Sequence, residues 1–190
     1  MNLENNIHTN NEMKILHNKD NIILTKNTID ESYNLKMIFN SNKITLQQIY
    51  NFNLYYLLFE LNKDILENVD VKELNETTSN VTLLFKQFGM ELGIPQKYMC
   101  LSNKKEYDHE NNKIVYIGED LSSKLKINDG EKVTVHHSKL LLTKKDNTFY
   151  LNYDFNVDIH ENLPLFMENL IGTLIKNIFI RFKHFIESYK

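Results

Sequence analysis

The sequence predicts an α+β fold: a helical N-terminal half, a small antiparallel β-sheet or barrel, and a long amphipathic C-terminal helix. Three patterns predict it. The aromatic-dense run NFNLYYLLFEL follows a helix-capping pair. Residues 148–159 alternate between apolar and polar side chains. Apolar residues recur at helical spacing from about 163 to 188.

Taken in order, residues 1–20 are rich in amides and read as a flexible tail, and residues 21–190 as a single domain with its helical part at about 28–100. NIILT at 21–25 suggests a short strand. TIDE at 28–31 has capping-box spacing, predicting a helix through Phe39. Thr45 and Gln48 form a second box, with Ile44 and Ile49 placed as a hydrophobic staple, so a central buried helix is expected over about 46–67. Val81, Leu84, Phe85 and Phe88 predict a further helix from Ser79 or Asn80, stopped by Gly93 and Pro95. KKEYDHENN at 104–112 reads as an exposed loop. The β part follows at about 112–160. KIVYI is a strand, NDG a turn before EKVTV, and KKDN a link to the strand at 148–159. Val133 and Val135 differ in parity from Leu140 and Leu142, which calls for a bulge at HHSK. The closing helix, about 163–188, starts with Pro164 in its first turn.

Composition narrows the function classes. The chain carries 22 basic and 25 acidic residues, a formal charge of −3, so no broad basic field announces a polyanion binder. Asn occurs 27 times, Ile 19 and Lys 21, against a single arginine, Arg181, and no Ala or Trp. That spectrum resembles coding in an AT-rich genome, as in giant DNA viruses or protists. The lone guanidinium leaves one planar fork for bidentate recognition. With only Cys100, neither an internal disulfide nor a thiolate-rich zinc site can form. No signal peptide is expected, and Glu168, Lys176 and Arg181 interrupt the longest apolar region, so no transmembrane segment is expected either.

Candidate sites resolve into ordinary surface. On the strand 148–159, Asn152, Asp154, Asn156, Asp158 and His160 form a polar row. Asp154 and Asp158 stand about 13 Å apart along a strand, too far to share one calcium ion. The row is expected to be a wet face. His136 and His137 point to opposite sides of a strand, Cys100 reads as a small buried hydrophobe, and Glu106, Asp108, His109 and Glu110 as a solvated loop. Five glycines match no phosphate or dinucleotide fingerprint. No catalytic, cofactor-binding or metal-binding residues emerge, and no cofactor is expected.

Residues 113–142, KIVYIGEDLSSKLKINDGEKVTVHHSKLLL, resemble the strand, short helix, turn and strand of AbrB-like swapped-hairpin domains and related cradle-loop barrels. The matching positions are Val115 and Ile117, Leu121 and Leu125, Ile127 and Gly130, and Val133 and Val135. The resemblance implies a small β unit that, in the bacterial family, dimerises and binds DNA through basic residues. Gly118 stands where that family has proline, and its arginines are missing here.

The resulting expectation is a non-catalytic protein–protein interaction or structural accessory protein, of the kind a large DNA virus uses as a virion or host-interaction component. It would reside in cytoplasm, nucleus or virion, with a protein partner or self-association through Ile178, Phe179, Phe182 and Phe185. The alternative is a nucleic-acid binder using Lys124, Lys126, Lys132, Lys139, Lys144 and Lys145. A second alternative is an enzyme using Cys100 or histidines.

Overall fold

The computed structural model describes residues 12–51, 53–88, 90, 93–121, 130–160 and 169–189. Among these residues nine strands and three α-helices follow in the order β1 (Met13–Lys19), β2 (Ile22–Asn27), β3 (Tyr33–Asn40), α1 (Leu46–Asn51), α2 (Leu54–Leu61), β4 (Leu66–Glu73), β5 (Thr78–Phe85), β6 (Lys97–Asp108), β7 (Lys113–Asp120), β8 (Glu131–Lys145), β9 (Thr148–Asp158) and α3 (Leu170–Ser188). All nine strands join one sheet in the order β1-β2-β3-β9-β8-β7-β6-β5-β4. Its ladders are antiparallel except where Lys97–Met99 of β6 run parallel to Glu131–Val133 of β8.

The helical N-terminal half is therefore a correction: the N-terminal half is mainly sheet, and β1 occupies part of the stretch expected to be tail. At β3 the deciding pattern is period two. Tyr33, Leu35, Met37 and Phe39 are buried, while Asn34, Lys36, Ile38 and Asn40 point the other way. The apparent capping box before it is a turn instead. Asp30 accepts from the Ser32 backbone N–H (2.9 Å) and hydroxyl (2.7 Å), and Glu31 takes a positive φ of 59°.

The second capping box is real, with the Gln48 N–H donating to Thr45 Oγ1 at 3.1 Å and the Thr45 N–H to Gln48 Oε1 at 2.8 Å. The helix it starts is short. Asn53 interrupts it and caps α2 by accepting from the Tyr56 N–H. Fully buried Asn62 then closes α2, donating its side-chain amide to the Leu58 carbonyl at 2.8 Å. Ile65 and Leu66 lead into β4 instead of continuing a helix to 67.

Helical spacing misleads again at β5. Val81 and Phe85 face the main core, but Leu84 packs on the opposite face with Tyr98 and Cys100. A strand buried on both faces loses its alternation and mimics a helix. The loop expected at 104–112 shrinks to four residues, because β6 runs on to Asp108 in register with β7.

The expected β-strands coincide with β7, β8 and β9, and the expected bulge falls between Val135 and His137. The swapped-hairpin resemblance is overturned. β7 and β8 are adjacent strands of the nine-stranded sheet, and β8 continues to Lys145. Leu125, Ile127 and the NDG turn's Asn128 and Asp129 lie outside the described residues, as does the expected start of the closing helix at 163–168.

The core lies between one sheet face and the helices. Ile178, Phe179, Phe182 and Ile186 of α3 are all buried. Phe182 meets Phe39 edge-on at 6.2 Å, and Phe39 stacks on Phe149 at 5.3 Å. Each such side chain contributes about 1.5–3 kcal/mol on burial. Gly172 lets α3 approach closely, since a Cβ there would stand 2.7 Å from the Tyr33 ring. Arg181 ties the helix to the α2–β4 turn: its Nη1 donates to Asn62 Oδ1 at 3.2 Å and its Nη2 to Asp64 at 2.7 Å.

Candidate functional site

The core is not filled completely. Alternate residues of neighbouring strands (Met99, Leu101 and Asn103 of β6; Tyr116 and Gly118 of β7; Ser138 and Leu140 of β8; Tyr153, Phe155 and Val157 of β9) form the floor of a cavity. They share one face because strand side chains repeat every second residue. Leu54, Tyr55 and Leu58 of α2 and Ile175, Ile178 and Phe179 of α3 form its roof. Its volume is about 70 Å³. Phe85, Met99, Val157 and Ile175 also line a second, neighbouring apolar space of about 40 Å³ beneath the start of α3. At its other end, Leu54, Tyr55, Asn103 and Tyr116 also border a wetter recess of about 470 Å³, walled by the β4–β5 hairpin.

The polar groups in the cavity wall are neutral. The Tyr55 hydroxyl donates to Asn103 Oδ1 at 2.8 Å, and Ser138 Oγ lies 3.1 Å from the Tyr153 hydroxyl. The Tyr116 hydroxyl is buried without a hydrogen-bond partner. Burial raises all three phenols above their ordinary range, so each keeps its proton. Among the described residues no charged side chain lines the 70 Å³ cavity. Lys97, in the wall of the neighbouring apolar space, is paired with Glu131 at 2.8 Å. A space with this apolar, uncharged lining can hold hydrocarbon.

A cavity held between one face of a single long antiparallel sheet and a C-terminal helix can be compared with solved structures. No protein-family model matches the chain, and no curated protein matches it in sequence. Solved structures do match. The chain superposes on the human StarD13 (DLC2) lipid transfer and protein localization domain with a TM-score of 0.72 and 11% identity, covering 93% of this chain and 89% of that one. Human StAR-related lipid transfer protein 5 gives 0.72 and 12%, with 95% and 87% covered. A StAR-related lipid transfer protein fragment from Xanthomonas axonopodis gives 0.62 and 9%, with 90% and 93% covered. The fold is that of StAR-related lipid transfer domains.

This likeness overturns the expectation of an interaction or accessory protein, with its viral and virion setting, and the nucleic-acid alternative with it. The residues singled out from sequence fit the new fold differently. Ile178, Phe179 and Phe182 are buried in the chain's own core, with Phe185 half-buried beside them, and Ile178 and Phe179 roof the cavity. Lys132 pairs with Asp120 at 2.5 Å. Lys144 donates to the Ile44 carbonyl at 2.6 Å and lies 4.8 Å from the centre of the Phe149 ring, and burial holds its ammonium below the usual lysine range. Lys139 and Lys145 are exposed, and Lys124 and Lys126 lie outside the described residues.

Cys100 is fully buried on the sheet face opposite the cavity, 3.7 Å from the Thr82 hydroxyl. The polar row of β9 is bonded within itself and to its neighbours. Asn34 donates to Asn152 at 2.8 Å and also to Asp154, and His160 Nδ1 lies 3.1 Å from Asp158. Among the described residues no three His, Cys, Asp or Glu side chains are placed to share a metal ion. No described helix is long and apolar enough to cross a membrane. The cavity residues that sequence reasoning missed are mostly apolar. Tyr55, Asn103, Tyr116, Ser138 and Tyr153, polar groups on inward strand or helix positions, carried a signal.

Proposed function

We propose that this protein is a lipid carrier that encloses an apolar molecule between the sheet and helices α2 and α3. The observation that carries this is the apolar cavity with the neighbouring apolar space under α3, in a fold shared with lipid transfer domains. At about 70 Å³ the cavity is smaller than the several hundred Å³ usual for ligand pockets. Loading therefore requires the roof to move, and α3 is the roof element that one polar clamp, Arg181 with Asp64 and Asn62, holds down at its middle. The carrier works in the cytoplasm, where its single buried thiol stays reduced.

The test is lipid capture. Purified protein is incubated with phosphatidylcholine vesicles containing a fluorescent acyl-chain lipid, separated from them by gel filtration, and extracted for mass spectrometry. Co-elution of about one lipid per chain is expected, along with faster donor-to-acceptor vesicle transfer. Protein that emerges without lipid and leaves the transfer rate at its spontaneous value defeats the proposal.

A further inference from the structure

We infer that the ligand is an uncharged lipid whose hydroxyl or carbonyl oxygen accepts a hydrogen bond from Tyr116. The inference rests on the carrier function proposed above and narrows it to one class of ligand. Tyr116 is 5% exposed and its hydroxyl is closed to solvent and unpartnered, whereas the other phenols of the cavity are matched: Tyr55 to Asn103 and Tyr153 to Ser138. An unmatched buried donor is costly, and native structures retain few of them. Because the phenol keeps its proton, its need is for an acceptor.

Position supports this. Tyr116 stands where the dry cavity meets the recess beside the β4–β5 hairpin, so an oxygen placed there would leave the hydrocarbon pointing toward Ile175, Ile178 and Phe179. A phosphate or carboxylate would be stripped of water in a wall that, among the described residues, holds no charged side chain. Lys97, beside the neighbouring apolar space, already has Glu131. Lys105, which borders the recess with Tyr116, donates to the Tyr50 carbonyl at 3.3 Å and lies 4.5 Å from the centre of the Tyr50 ring, with Glu73 and Glu76 in the same recess. A hydroxyl or carbonyl can be satisfied by the one donor available.

The experiment compares 1-hexadecanol, hexadecane and hexadecyl phosphate, each at equal mole fraction in palmitoyl-oleoyl phosphatidylcholine vesicles, with wild type and Tyr116→Phe. Captured probe is quantified after gel filtration. The alcohol-to-hexadecane ratio should be about threefold to tenfold higher in wild type than in the variant, the range that one net hydrogen bond gives. Hexadecyl phosphate should be captured less than the alcohol. Ligand-free Tyr116→Phe should melt at or above wild type, because an unmatched donor is gone. Equal ratios in the two proteins, preference for the phosphate, or a clear fall in melting temperature would overturn the assignment. If hexadecane enters both proteins but the ratio does not change, the carrier function stands and the Tyr116 assignment falls. If no probe enters wild type, both fall.

Discussion

Replacing Val157 with Phe asks whether the space under α3 serves a ligand or is merely imperfect packing. Val157 lines both the cavity and the neighbouring apolar space, so a larger side chain there takes up volume where the two adjoin. Residual cavity costs native stability about 24 cal/mol per Å³. For a volume of about 70 Å³ that amounts to about 1.7 kcal/mol. A Phe ring that fits the space recovers part of this, and 1.7 kcal/mol is the ceiling.

For a chain of this length that ceiling corresponds to a rise of about 3–7 °C in melting temperature. Val157→Phe should therefore melt at or above wild type while capturing little lipid from vesicles, a gain in stability at the expense of function. Differential scanning calorimetry reads the first quantity and mass spectrometry of extracted lipid the second. If the region is already filled, overpacking costs about 1–3 kcal/mol instead. A destabilised variant that still captures lipid at the wild-type level would refute the assignment of this space to a ligand.

Three further substitutions probe the frame around the cavity. Gly172→Ala drives a methyl to within 2.7 Å of the Tyr33 ring, which is itself stacked on Phe155 at 5.2 Å. Overpacking of about 1–3 kcal/mol outweighs the gain of about 1 kcal/mol in helix propensity, so urea titration should show a net loss of up to about 2 kcal/mol. Thr45→Ala removes the capping box of α1 and should lower stability by about 1 kcal/mol by the same measurement. Arg181→Gln releases the α3 clamp, and lipid transfer between vesicles should accelerate. The hydrogen bond from Arg181 holds the Asp64 carboxyl below its usual range. The folded-state value is the lower one, so this contribution is complete above the unfolded value of about 3.9 and disappears as pH falls through the folded value. Both side chains are more than a third exposed, so screening limits it to about 0.5–1 kcal/mol. The stability gap between Arg181→Gln and wild type should narrow as pH falls below about 3.9 and close below the folded value, and a gap unchanged at low pH would mean that Arg181 acts through packing.

The C-terminal β-strands and the closing helix were legible because each has one buried face. On β9, Phe149, Leu151 and Phe155 are buried while Tyr150 is exposed and Asn152 and Asp154 carry the polar side, so the period survives in the sequence. The bulge at Val135–His137 was legible for the same reason, since a slip of one residue inverts the faces of a strand. β5 was not, because Leu84 and Cys100 give the second face of the sheet a small core of its own. β3 was lost to a local signal. The Thr28–Glu31 spacing suits a cap, but the side chains that organise the turn are Asn27 and Asp30, through bonds to backbone N–H groups two residues on.

The site was illegible for a deeper reason. A catalytic centre advertises itself through residue types that are costly to bury, whereas an apolar cavity is made of the residues that make any core. Leu101, Leu140, Phe155 and Phe179 line the cavity, and Leu35, Leu142, Phe149 and Phe182 fill solid core nearby; no feature of composition or spacing separates the two sets. The difference is a matter of where side-chain volumes fail to meet, which depends on the curvature of the sheet and the seating of α3. What can separate them in sequence is polarity on an inward position. Tyr116 alternates with Val115 and Ile117 in a run that reads as uniformly apolar, and Ser138 falls at the inward parity of β8 just past the bulge. Inward hydroxyls on the adjacent strands β7, β8 and β9 are the part of this cavity's described wall that is written in residue identity instead of in shape.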